Sequence, residues 1–207
     1  MAIFVSGETQ LAYEVHGAGF PILLIAPGGL RSERGMWRGS PLNPLAALSD
    51  HFQVIAMDQR NAGESTGPIE SDHDWSTYTQ DQLDLMTHLG HERFAVVGMC
   101  IGGPYILNLL KTAPERIVAS AVMQTIGRDN NRAEFLTMFD GWAEHLHAQD
   151  PQTYPSEALA GLRRRMFEND LTFMAMSDQV IENFAEPMLI LDGADTYHPA
   201  SSSERLS

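Results

Sequence analysis

An α/β fold on a doubly wound, mostly parallel sheet is the class this sequence predicts, and three observations lead to it. Short continuous apolar runs recur along the chain, each closed by turn residues, as in strands buried on both faces of a parallel sheet. Stretches of helical periodicity separate them. The composition, 43% hydrophobic and 19% charged over 207 residues, supplies enough apolar side chain for one sizeable core.

The elements follow in order. "LAYEVHG" (11–17) alternates like a half-buried strand, and "PILLIAPGG" (21–29) and "QVIAMDQ" (53–59) are the first continuous runs. "TYTQDQLDLMTHLG" (77–90) reads as a helix, opened by a capping box of Thr77 with Gln80 and stopped at Gly90. "RFAVVG" (93–98) is the next strand, followed by a helix with Pro104 in its first turn that ends near Pro114. "IVASAVMQ" (117–124) and "PMLILDG" (187–193) complete the strands. Residues 128–184 lack a strand pattern and hold helical stretches rich in large apolar side chains. The expected organisation is therefore a core of 1–127 and 185–207 with a helical cap at 128–184, whose side chains pack the cap or line a pocket above the sheet.

Charge and cysteine count narrow the function. With 13 basic against 27 acidic residues the net charge is −14, so there is no basic excess to neutralise phosphates, and neither a nucleic acid nor an anionic membrane is an expected partner. A small-molecule substrate is. One cysteine cannot form an internal disulfide, and the first 20 residues lack a signal-peptide pattern, so a cytoplasmic location is expected. Nothing in the sequence calls for a metal or an organic cofactor.

The single cysteine lies in "AVVGMCIGGPYILNLL" (95–110), between a strand and a helix. Gly98-Met99-Cys100-Ile101-Gly102 fits the nucleophile elbow G-x-S-x-G with Cys for Ser, a turn that lifts the central side chain above the strand ends. A helix N-terminus beside the sulfur favours the thiolate.

Three more stretches join the elbow. "LLIAPGGL" (23–30), "MDQRNAGES" (57–65) and "PMLILDGADTYHP" (187–199) occur in the order found in the α/β-hydrolase superfamily, which the chain resembles over nearly its whole length. The Cys elbow is similar to that of dienelactone hydrolases. The resemblance implies an acyl-transfer hydrolase with Cys100 as nucleophile, the N–H groups of Gly29 and Ile101 as oxyanion hole, and Asp195 as the acid, with Asp192 the second choice. Leu30, Met99, Met138 and Trp142 are the expected substrate contacts. Pro27 stands where many relatives have His, and Asn61 departs from the family's turn, in which Asp58 and Arg60 are expected to be structural.

The family's catalytic His follows its acid by tens of residues, after a further helix and strand that this sequence does not show. His198, three residues after Asp195, is read as shaping the turn before Pro199. The base is then expected from further sequence or from another chain, as completion by a partner or a homo-oligomer joined at the 187–193 sheet edge. Without it Cys100 would acylate and stall. Two other readings stay open: a noncatalytic small-ligand-binding protein of the same fold, and a truncated product acting with a partner.

Overall fold

The computed structural model describes residues 1–207. Seven strands, β1 (Ala2–Ser6), β2 (Thr9–His16), β3 (Pro21–Ile25), β4 (Gln53–Met57), β5 (Phe94–Met99), β6 (Ile117–Met123) and β7 (Met188–Leu191), form one sheet. Their order is β1-β2-β4-β3-β5-β6-β7, antiparallel at β1/β2 and β2/β4 and parallel elsewhere. From β3 the chain moves outward to β4, then returns to place β5 on the other side of β3. That reversal opens a crevice at the carboxyl ends of β3 and β5, where parallel sheets of this kind bind their ligands.

Alternation along the strands sorts the core into two faces. Leu23, Ile25, Ile55, Met57 and Val96 point to the face covered by α2 (Trp75–His88) and α3 (Gly102–Thr112). Ile22, Leu24, Val54 and Ala56 point to the other, against Trp37 and the short α1 (Pro44–Leu48). β1 has no counterpart in the apolar runs of the sequence because it is an outer strand: only Phe4 is partly covered, and the strand is held by its hairpin to β2. Helix α2 starts two residues earlier than its pattern suggests. Its N-cap is Asp74, which accepts from Ser76 N at 2.7 Å while Thr77 Oγ1 accepts from Asp74 N at 3.3 Å, so the capping box belongs to Asp74 and Thr77 rather than to Thr77 and Gln80.

Between β6 and β7 lie only helices: α4 (Arg132–Gln149), α5 (Ser156–Phe167) and α6 (Asp178–Ile181). α7 (Ala200–Glu204) follows β7. Phe135, Phe139, Trp142, Leu162, Met166 and Phe167 are buried in one cluster with the α2/α3 face, so α4 and α5 extend the main core instead of forming a second one. Aromatic contacts knit them, with Phe139 5.5 Å from Trp142 and 5.8 Å from Phe167 between ring centroids. Trp75 Nε1 donates to Met166 O at 3.3 Å and ties α5 to α2. No helix is long and apolar enough to cross a membrane.

The loop after β4 is held by ionic contacts. Asp58 accepts from Arg34 N at 2.7 Å and Glu64 N at 2.9 Å and pairs with the Arg34 guanidinium. Arg60 grips Asp81 of α2 with two bonds, at 2.8 and 2.7 Å, and both residues are buried. Burial pushes the Asp81 carboxyl above its ordinary range and Arg60 only partly offsets this. Asn61 adopts a left-handed backbone, φ 59°, which Asn tolerates where most side chains do not. Its Oδ1 accepts from Gly67 N at 2.9 Å and from the Tyr154 hydroxyl at 3.1 Å, joining the loop to the segment between α4 and α5.

The Arg60–Asp81 pair generates a stability prediction. Arg60→Ala leaves a buried carboxylate unpaired and is expected to cost about 3–5 kcal/mol, whereas replacing both partners by apolar residues of similar volume should cost far less. Urea unfolding of the single and double variants measures both, and a single variant within ~1 kcal/mol of the parent would contradict the assignment.

Candidate active site

The bend that presents Cys100 depends on small neighbours. Gly98 ends the buried part of β5, and a Cβ there would meet Gly102 Cα at 3.0 Å and Ile106 Cδ1 at 2.9 Å; one on Gly103 would meet Thr125 Oγ1 at 1.9 Å. Strand and helix can therefore approach closely, with Cys100 between them in the left-handed region at φ 61°. Its N–H donates to Met123 O at 3.0 Å, and its carbonyl accepts from Gly103 N at 3.1 Å and Ile126 N at 3.2 Å. The strain is thus held by three backbone hydrogen bonds.

The loop after β3 lies beside the elbow. The N–H groups directed at the sulfur are those of Ile101 and Gly28. Gly29, the oxyanion donor expected from the sequence, adjoins Gly28, has φ 61° and lies under Met138, whose Sδ would sit 2.4 Å from a Cβ at that position. Pro27 places no side-chain donor there.

The third component is His198. Asp195 Oδ1 accepts from the N–H groups of Tyr197 and His198, both at 2.9 Å, and Asp195 Oδ2 meets His198 Nδ1 at 2.8 Å. One carboxylate therefore folds the loop and orients the ring it faces. Asn131 at the head of α4 donates to Thr196 O at 2.6 Å, and Tyr197 stacks edge-on against Phe135 at 5.5 Å, which pins the loop to the cap helices. His198 Nε2 is buried without a hydrogen-bond partner, and the ring lies close enough to Cys100 for each group to shift the other's titration. His198 closes the turn before Pro199, as the sequence suggests, and the same Asp195 turn also brings its imidazole toward Cys100.

The charges shift accordingly. Burial pushes the Cys100 thiol up, but His198 and the N–H groups of Gly28 and Ile101 outweigh it and hold the thiol below its ordinary value. Burial pushes His198 down, and Cys100 and Asp195 outweigh it, raising the imidazole to about 9. The hydrogen bond from His198 lowers Asp195 despite some burial. Both directions run toward a thiolate–imidazolium pair.

The other expected site residues separate. Leu30 is buried in the main core. Met99 does not face the cap: it packs on the opposite side of the sheet, in a groove of about 220 Å³ with Leu42, Met123, Leu191 and Asp192, so it is no substrate contact beside Cys100 and Asp192 is no partner for His198. Met138 covers Gly29, and Trp142, one turn further along α4, lines a cavity of about 440 Å³. Glu70, Asp72 and His73 bring ligand atoms within 4.8 Å of one another, but both carboxylates are exposed and His73 Nδ1 already accepts from Glu70 N at 3.1 Å.

Sequence comparison settles the family. The family model described as "alpha/beta hydrolase fold" matches residues 21–192. The chain belongs to the α/β-hydrolase fold family. Among curated relatives it is 27% identical over 208 residues to a protein of Azorhizobium caulinodans named "Putative carbamate hydrolase RutD", covering 97% of this chain and 73% of that one. A Klebsiella pneumoniae (strain 342) protein of the same name is 29% identical over 185 residues, covering 86% of this chain and 67% of its own. Among solved structures, a meta-cleavage product hydrolase from Pseudomonas fluorescens IP01 superposes with a TM-score of 0.72 at 21% identity, over 100% of this chain and 84% of that one. The family match and the curated relatives make the chain a hydrolase of this fold.

Thiol reactivity tests the electrostatics. Because the folded thiol is lowered, alkylation by iodoacetamide should rise with pH through a midpoint below the free-cysteine value of about 8.5 and then level off. His198→Asn removes the imidazolium and should move that midpoint upward. A parent midpoint at or above the free value would overturn the ion-pair arrangement.

Proposed function

We propose that this chain is a cysteine acyl-transfer hydrolase acting on a small ester, thioester or lactone, with Cys100, His198 and Asp195 as its working triad. The observation that carries the reading is the buried, unpaired Nε2 of His198, on a ring close to the only cysteine. The Cys100 thiolate attacks the substrate carbonyl carbon, and the carbonyl electron pair moves onto oxygen. That oxyanion is met by N–H groups of the elbow and the first loop, Ile101 with Gly28 or the adjoining Gly29. As the intermediate collapses the C–O or C–S bond breaks, the imidazolium gives its proton to the leaving oxygen or sulfur, and a thioester on Cys100 remains. Neutral His198 then takes a proton from water, whose hydroxyl displaces the sulfur and releases the acid.

With His198 in this position the reaction needs no base from a second chain, and deacylation need not stall. The name of the curated relatives points to a carbamate, another carbonyl substrate that the same attack would open. Met138 over Gly29 is the proposed contact for the acyl group.

Steady-state hydrolysis of p-nitrophenyl acetate is the test, read with its burst. Cys100→Ala should abolish both phases. His198→Asn should lower the turnover rate by about 10²–10⁴-fold. Asp195 has a largely exposed side chain, so Asp195→Asn should lose less, about tenfold, because solvent screens its charge. With an alkyl ester, whose leaving alkoxide needs a proton, acylation should fall on both sides of a pH optimum: below it the thiolate is protonated, and above about 9 the imidazolium that serves the leaving group is lost. Binding without turnover in the parent protein would instead favour a noncatalytic ligand-binding role.

A further inference from the structure

The cavity of about 440 Å³ between α4 and the loop after β4 is lined by Arg31, Met36, Asn61, Trp142, Gln149 and Tyr154, among others. Its volume falls in the range of small-molecule sites. Two of its lining side chains are more than nine-tenths buried and still carry a donor with no partner: Asn61 Nδ2 and Trp142 Nε1. The orientation of Asn61 follows from its other end. Oδ1 is occupied by the Gly67 N–H and the Tyr154 hydroxyl, so the amide cannot turn over without losing both bonds, and the NH₂ group is left as the free end. Trp142 offers an indole N–H, a donor only. Buried donors in native proteins are nearly always paired, and two unpaired ones just inside the wall of a cavity are complementary to an oxygen acceptor once a small shift of that wall uncovers them.

We infer that this cavity is a binding site for the carbonyl or carboxylate end of a small molecule, held by Asn61 Nδ2 and Trp142 Nε1. Arg31 and Glu33 both line the cavity, so their charges oppose one another and leave the choice between an amide carbonyl and a carboxylate to the two donors and Arg31's reach. The site adjoins the elbow. Met36 lines the cavity and lies against Gly28, where its Sδ would be 2.4 Å from a Cβ, and the Gly28 N–H is directed at Cys100. One flexible thioether side chain therefore separates this cavity from the first loop of the active site. As the distal subsite for a substrate that acylates Cys100 it rests on the proposed function; as a binding site it stands on the cavity.

The test reads binding on Cys100→Ala protein labelled with ¹⁵N, so that it does not depend on turnover. The chain has three tryptophans, and Trp142→Phe assigns the indole resonance that matters. Butyramide, butyrate and butylammonium are titrated separately. A saturable downfield shift of the Trp142 indole with butyramide, butyrate or both is expected, with Trp37 and Trp75 unmoved and no response to butylammonium. Response to butyramide alone assigns a neutral carbonyl, and response to butyrate alone assigns a carboxylate drawn by Arg31. Asn61→Asp keeps the acceptor oxygen and tolerates the left-handed backbone but removes the donor, and should weaken binding at least about tenfold. No saturable shift with either oxygen ligand, an equal response to butylammonium, or undiminished binding by Asn61→Asp would overturn the inference. A failed p-nitrophenyl acetate burst with an intact Trp142 shift would count against Cys100 as nucleophile and leave this site standing.

Discussion

The left-handed turn at Cys100 is the constraint on which the rest of the site depends. A side chain at φ 61° is costly, and here the backbone around it leaves no alternative: the N–H is taken by β6, the carbonyl by the segments on either side of it, and the glycines let β5, α3 and the end of β6 close to contact. With the backbone so held, the sulfur emerges on the cap side of the sheet at the point where β3 and β5 diverge. The N–H groups of Ile101 and Gly28 converge there because one belongs to the elbow and the other to the loop after the neighbouring strand.

The second half of the site is built by a different device. Asp195 makes three contacts with Tyr197 and His198, two to backbone N–H groups and one to the imidazole, so carboxylate and imidazole arrive as one folded unit beyond the end of β7. Asn131, from the first turn of the cap, and Phe135, one turn later, hold that unit from above. Helix α4 and its N-cap thus support a loop on which the ring's position depends. The helix's own attachment runs through the aromatic cluster shared with α2 and α3, so the position of His198 is coupled to core packing.

What could be read from the sequence divides along the same lines. Strands buried on both faces announce themselves as apolar runs, and the elbow is legible because its glycines, strand and helix are contiguous. β1 was not legible, since an outer strand with little burial carries no such run. His198 reads from the sequence only as a turn residue, because family spacing places the base far along the chain; that a carboxylate three residues earlier also orients the ring is signalled by nothing but Asp195-Thr196-Tyr197-His198 itself. Met138 lying over Gly29, and Met99 turned to the opposite face, depend on strand register and loop dihedrals, which one-dimensional spacing does not resolve.

The wide separation of residues 28, 101 and 198 along the chain has a consequence for folding. In an ordinary buried cysteine, loss of structure uncovers the sulfur and speeds its modification. Here the thiol is held below its ordinary value only while three distant segments are assembled, so denaturation both uncovers Cys100 and strips away the imidazole and N–H groups that lower it. Below the pKa of a free thiol the two effects oppose one another. The single sulfur therefore works as an internal gauge of long-range order, responsive to the meeting of β3, β5 and the loop beyond β7 and indifferent to helices that form early on their own.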